Sequence, residues 1–385
     1  MIIKNAGVYT EDGRFLEKDI YIDGAFFVDS ADKVKDDLVV DAAGCYAIPG
    51  LTDIHFHGCM GHDFSDGTRE AVDAMAAYEV SVGVTNIVPA TMTLAEDTLL
   101  TICRVAKAYA EEGKLEARAR FQGINMEGPF VSPAKKGAQN EDYIQKPDIA
   151  VFDRLNEASG KRVKLLAIAP EQEGAMELIA QRHGEVIMSL AHTAADYETA
   201  IEAFEKGADH VTHLYNAMNP YNHRKPGVIG AAADKEKVEV EMICDGVHIH
   251  PSAVRTSFKI FGDERIILIS DSMRATGLED GDYTLGGQDV KVTGNLATLQ
   301  DGTIAGSVTN LLDCMRTIVL QMGIPLESAV KCATANPAKC IGIYEEYGSI
   351  SSGKHADVVL LKKADLTLQQ VILDGKTIVD NRRSR

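Results

Sequence analysis

The feature that most limits the folds open to this chain is an alternation. Eight apolar, β-rich segments follow one another through its middle: AIPGLTDIHFHG, GVTNIVPAT, FQGINMEGPF, VKLLAIAPE, EVIMSLAHT, DHVTHLYNAM, VEVEMICDGVHIH and RIILISDSM. Between them, segments such as TREAVDAMAAYEVSV, AEDTLLTICRVAKAYAEEG, QEGAMELIAQRHG and DYETAIEAFEKG carry apolar residues at the i, i+3, i+4 spacing of an amphipathic helix. Short apolar strands separated by helices build a parallel sheet covered on both faces. Eight such units predict a (β/α)8 TIM barrel, with a doubly wound open sheet as the alternative. A barrel takes roughly 250 residues, so a chain of 385 has room for a second, smaller unit.

The two ends supply that unit. Residues 1–48 read as short strands with turn signals at EDG and IDG, and residues 346–385 repeat the pattern with VVLL, QQVIL, an LDG turn and TIVD. Both stretches lack a helical period, and together they predict a small β-sandwich domain formed from both chain termini. The barrel then occupies residues 49–345.

In such a barrel the chemistry gathers where the strands end, at their C-terminal edge. The first predicted strand ends in His55 and His57, the third in Glu127, the fifth in His192, the sixth in His213, the seventh in Asp245 and His248, and the eighth in Asp271. Residues two apart in a strand face the same way, so the two imidazoles of HFH are able to converge on one ion. Each of these residues taken singly reads equally well as a polar group ending a strand. As a set they do not, because five of only 11 histidines stand at predicted strand ends beside acidic residues. Imidazole nitrogen and carboxylate oxygen suit a borderline divalent cation such as Zn2+ or Fe2+. The set therefore points to a hydrolytic metal centre, with Asp271 as the carboxylate that shuttles the proton.

Composition narrows the partners. A formal net charge of −18 would repel a phosphate backbone, so nucleic acid is not expected. No apolar run approaches the ~18 residues a membrane helix needs. The opening MIIKNAGVYTEDGRF lacks the pattern of a signal peptide, so a cytoplasmic location is expected. The seven cysteines include no CxxC pair, which fits reduced thiols.

The motifs HFHG, MEGPF, SLAHT, VTHLYNAMNP and ISDSM, with the tail segment ATANPAKCIGI...GSISSGKHADVVLL, resemble the amidohydrolase superfamily and, within it, the family of N-acetylglucosamine-6-phosphate deacetylases. Most specific are MEGPF followed by KKGAQN, then HLYNAMNPYNHRKPG, then CDGVHIHP; the resemblance covers essentially the whole chain. It implies hydrolysis of the acetamide of an amino sugar phosphate, with the galactosamine epimer as the alternative substrate.

The resemblance also implies roles. Glu127 is a metal ligand, in the place a carboxylated lysine takes in other branches, since Lys164 lies at the wrong end of its strand. His192 and His213 complete that site, and a second ion held by His55, His57 and Glu127 would make it binuclear. Asp271 is the general base and acid, and His248 polarises the carbonyl. Ala138, Asn216, Ala217, Arg224, Asp245, His248, Ile304, Ala305 and Gly306 would line the sugar phosphate. Family precedent sends that arginine into a neighbouring subunit's site, which implies a homodimer.

Arg224 also stands out on chemistry alone: HRK at 223–225 is a small basic cluster in an acidic chain, suited either to phosphate or to solvent. Other amidohydrolases, such as a dihydroorotase or D-aminoacylase, fit the Glu127 motif and the Arg224 loop less well. A sugar-phosphate sensor without catalysis is the reading from outside enzymology. The glycine-rich stretch between Asp271 and Ser307 reads as a hairpin excursion, either over the barrel mouth or into solvent.

Overall fold

The computed structural model describes residues 1–113 and 116–383. The chain opens with β1 (Ile2–Tyr9), β2 (Phe15–Asp23) and β3 (Phe26–Val28), an antiparallel meander that turns at EDG and IDG. β4 (Val39–Asp41) and β5 (Cys45–Pro49) then pair parallel to successive halves of β1. The barrel begins with β6 (Leu51–Asp53), followed by a ribbon of β7 (Gly58–Cys59) and β8 (His62–Asp63). Next come β9 (Val84–Ile87), the two short runs β10 (Arg120–Phe121) and β11 (Ile124–Met126), and β12 (Val163–Ile168). The remaining barrel strands are β13 (Ile187–Leu190), β14 (His210–Val211), β15 (Glu239–Ile243) and β16 (Ile266–Ile269). After them stand a three-stranded antiparallel sheet, β17 (Gly281–Leu285), β18 (Gln288–Thr293) and β19 (Leu296–Thr298), and finally β20 (Val358–Lys362), β21 (Leu368–Leu373) and β22 (Lys376–Asp380).

The fold is a TIM barrel with a small β domain. The parallel ladder runs β6–β9–β10 and β11 through β16, joined by the Ala90–Asn125 bridge. Closure comes just beyond the first and last strands, where Asp271 N–H donates to His55 O at 2.9 Å and His57 N–H to Ser272 O at 2.7 Å. The strands are Val/Ile/Leu-rich because both their faces are covered. In β16, Ile266 and Leu268 pack into the large cluster shared with the helices, whereas Ile267 and Ile269 face a separate cluster with Ile54, Leu165 and Ile243 inside the barrel. The helices start where the sequence offers caps: Thr68 accepts from Ala71 N–H ahead of the helix Arg69–Ser81, and Asp196 from Thr199 N–H ahead of Tyr197–Glu205.

β1–β5 and β20–β22 form one hydrogen-bonded sheet, in which β20 pairs antiparallel with β5. Ile3, Val8, Ile22, Val358, Leu360 and Ile372 share its core. The segment AIPGLTDIHFHG is thus two strands: β5 belongs to this sheet and β6 to the barrel. The chain passes between them at Gly50, where a Cβ would lie 2.2 Å from Thr85 Oγ1 and no side chain fits. Among the described residues, no helix is long and apolar enough to cross a membrane.

Candidate metal centre

The histidines and acids named at strand ends converge on one mouth, with Asp245 a layer behind it. Glu127 follows β11 by one residue, His192 and His213 follow β13 and β14 by two, and Asp271 follows β16 by two. His192, His213 and Asp271 adopt left-handed φ values of 43°, 29° and 48°. Side chains rarely accept that conformation, and when they do it commonly serves a site. Gly128, with φ near 90°, is obligatory for a second reason: a Cβ there would meet Thr93 Oγ1 at 2.3 Å.

Glu127 is the hub. Its Oε1 lies 3.2 Å from His192 Nε2, 3.0 Å from His213 Nε2 and 3.4 Å from His55 Nε2; its Oε2 lies 3.3 Å from His57 Nε2. The Nε2 atoms of His192 and His213 are themselves 3.1 Å apart. Asp271 Oδ1 stands 3.3 Å from His57 Nε2 and 3.8 Å from His55 Nε2. Among the described residues, two sets of three therefore present converging ligand atoms: Glu127, His192, His213 and His55, His57, Asp271.

The rings are held for this arrangement from behind. His192 Nδ1 meets Lys135 O at 3.0 Å, His57 Nδ1 meets Ala90 O at 3.3 Å, and His55 Nδ1 meets Glu241 Oε2 at 2.9 Å. A donor on Nδ1 leaves Nε2 with its lone pair toward the mouth. His55 Nε2 is fully buried and has no hydrogen-bond partner, as expected of an atom reserved for an ion. Burial alone would raise the Glu127 carboxyl, yet the surrounding histidines His55, His192 and His213 hold it well below the usual range. Burial alone would lower the His57 imidazole, yet Asp271 and Glu127 push it up to about 10. Both shifts report one field that favours positive charge between these groups. The nitrogen and oxygen donor set fits a divalent cation of the zinc or ferrous type.

Above the ligands lies a cavity of about 350 Å³, walled by His57, Gly137, Ala138, Asn216, Ala217, His248, Thr303, Ile304 and Gly306, among others. The glycine-rich excursion covers one side of it. Leu285 of β17 reaches the wall, and Met273, Leu285, Val290 and Val292 pack together beneath, with Gln288 Nε2 donating to Ala138 O at 2.5 Å.

Three expected lining residues lie elsewhere. Asp245 sits behind His248, its Oδ2 accepting from His248 Nδ1 at 2.8 Å and its Oδ1 from the amides of Val247 and His248. Ala305 is packed in the cluster under the hairpin. Arg224 is exposed, beside His223 on a separate groove. Two buried residues were not read from the sequence. Gln139 donates to Glu127 Oε2, and Glu241 backs His55. Gln139 falls inside the quoted KKGAQN, and Glu241 is an acid at an interior-facing position of VEVEMI, which is the signal that marks it.

The model of the amidohydrolase family matches residues 46–378. The chain is 37% identical to the N-acetylglucosamine-6-phosphate deacetylase of Bacillus subtilis, over 94% of this chain and 93% of that one. It is 33% identical to the N-acetylgalactosamine-6-phosphate deacetylase of Escherichia coli O157:H7, over 85% of this chain and 86% of that protein. The structure of a point mutant of N-acetyl-D-glucosamine-6-phosphate deacetylase from Mycobacterium smegmatis, in complex with N-acetyl-D-glucosamine-6-phosphate, superposes with a TM-score of 0.91 at 32% identity, covering 98% of this chain and 99% of that one.

Proposed function

The chain belongs to the amidohydrolase family, and from that premise we propose that it hydrolyses the acetamide of N-acetyl-D-glucosamine 6-phosphate to D-glucosamine 6-phosphate and acetate. The observation that carries this is the convergence of Glu127, His192 and His213 on one point, with Asp271 and His248 on the wall of the same cavity. The curated relatives of the gluco type support glucosamine over its galacto epimer.

Glu127, His192 and His213 would hold one divalent ion, zinc or iron, and the second set of three supports a two-ion reading. When bound, such an ion supplies Lewis acidity for the attacking water and the acetamide oxygen. Asp271 takes the proton of the attacking water as its oxygen bonds to the carbonyl carbon. Burial alone would lower the His248 imidazole, but the Asp245 carboxylate raises it, so the ring acts as the imidazolium: Nδ1 donates to Asp245 and Nε2 donates to the carbonyl oxygen as negative charge builds there. Asp271 then returns its proton to the departing amine as the C–N bond breaks, giving acetate and the amino sugar. Asn216, Ala217, Ala138, Ile304 and Gly306, on the cavity wall, are placed to enclose the sugar.

Arg224, outside the cavity of its own chain, fits a role across a homodimer interface as the phosphate clamp. The setting proposed is the cytoplasm, with no nucleic-acid or membrane partner. The test is acetate release from both 6-phosphorylated N-acetyl amino sugars and their unphosphorylated forms, with zinc, iron, manganese and cobalt each supplied. Turnover should be greatest on the phosphorylated gluco compound. No turnover on any of the four overturns the proposal.

A further inference from the structure

Strand β15 carries a charge where a barrel normally carries bulk. Val240 and Met242 face the helices, so Glu241 and Ile243 point inward, and Ile243 indeed packs with Ile54, Leu165 and Ile267. Interior layers of such barrels are filled by branched apolar side chains, yet Glu241 is fully buried there. Among the described residues its ion-pair partners are histidines only: His55 Nδ1 at 2.9 Å from Oε2 and His210 Nε2 at 3.8 Å from Oε1. Oε1 makes no hydrogen bond. A buried carboxylate without lysine or arginine is unfavourable unless something compensates it.

We infer that Glu241 is a positioning residue that fixes His55 for an ion and couples the two ligand sets. This rests on the metal-dependent reading above. Oε2 also accepts the backbone N–H of His213 at 3.2 Å, and Glu241 O accepts that of Leu214 at 2.8 Å. An oxygen that already accepts one N–H is placed to accept a second, so the His55 proton is assigned to Nδ1 and the lone pair to Nε2. That lone pair faces Glu127 Oε1 at 3.4 Å and Asp271 Oδ1 at 3.8 Å. The same carboxylate braces the left-handed turn at His213, a ligand of the other set. One side chain therefore orients a ligand of each set, and its charge makes His55 a stronger donor to a cation.

The experiment compares zinc binding by wild type and Glu241→Gln in a chelator-buffered titration, with the melting temperature of the metal-free proteins as a fold control. Glutamine keeps an acceptor for both N–H groups but removes the charge. The weaker zinc equivalent, or the only one, should bind about 10- to 100-fold less tightly in the variant, with the metal-free melting temperature unchanged. Superimposable titrations overturn the inference. If Glu241→Gln does not fold, Glu241→Asp, which withdraws the charge from Nδ1, is read the same way, and unchanged zinc affinity again overturns it. Acetate release is scored separately. A wild type that binds zinc but never deacetylates overturns the proposed reaction and leaves the role of Glu241 standing.

Discussion

Gln139 Nε2 donates to Glu127 Oε2 at 2.7 Å, while Gln139 Oε1 accepts the Thr93 amide at 2.6 Å. The central ligand is thereby pinned to the loop after β9 through one buried amide. Gln139→Ala should weaken zinc binding by about 10-fold or more by freeing Oε2. Leaving the Thr93 N–H without an acceptor should also cost about 1–3 kcal/mol of stability. Chelator competition and a denaturant melt measure the two effects, and a variant with wild-type zinc affinity shows that Glu127 holds itself.

Asp271 lies 3.3 Å from His57 and on the cavity wall. As the group that carries the proton both ways, its loss in Asp271→Asn should lower kcat by roughly 10²–10⁴-fold while substrate still binds. Calorimetric titration of the inactive variant with the sugar phosphate, beside steady-state kinetics, tests this. A variant that retains a tenth of wild-type turnover removes Asp271 from the reaction, and a wild type that binds without turnover would instead be a sensor.

Arg224 offers its guanidinium outside its own cavity. Arg224→Ala should raise KM for the phosphorylated substrate by ~10-fold or more, the range of a lost charged hydrogen bond, with kcat and the unphosphorylated substrate little changed. Mixing Arg224→Ala with Asp271→Asn separates the geometries. Action across the dimer restores one complete site in each mixed pair, whereas action within one chain restores none.

Glu79, on the helix Arg69–Ser81, is fully buried, and neither of its carboxyl oxygens has a hydrogen-bond partner. Burial, and after it the neighbouring Asp53, push its carboxyl well above the usual value of 4.5; burial likewise raises Asp53, to about 7. A carboxyl with a raised folded pKa binds more protons folded than unfolded. Its contribution is therefore fully present below the unfolded value and is lost as pH rises toward the folded one. Stability, followed by denaturant melts across pH, should fall with rising pH above about 4.5 more steeply in wild type than in Glu79→Gln, by up to roughly 1.4 kcal/mol per pH unit per proton. Parallel curves would place a different group behind the slope.

The eight strands and their polar ends were legible because two signals agree in a barrel: apolar runs mark the strands, and the residue just past each run marks the mouth. Arg224 was legible as a basic loop residue but not in its position, since nothing in the spacing of HRK shows that the loop lies on a groove apart from the cavity. Glu241 escaped because the alternation VEVEMI reads as a strand with one solvated face, and only the closed barrel turns that face inward. Asp245 stands behind His248 and not on the cavity wall, a difference of one layer of side chains that spacing along CDGVH does not encode. FQGINMEGPF reads as one strand, but it divides at Gly123 into β10 and β11, which pair with different neighbours.

The pairing of β20 with β5 sets an order of events during synthesis. β5 is followed after a single residue by the first barrel strand, but its antiparallel partner comes more than 300 residues later, beyond all eight barrel strands. A contact of that separation is slow to form, because the intervening chain must be closed first. Until it forms, β5 offers one open edge to any passing strand. A ribosome that stalls or releases the chain before residue 358 would thus leave a nearly finished barrel with a sticky flank, so the last strands act as a seal on quality as much as a part of the fold.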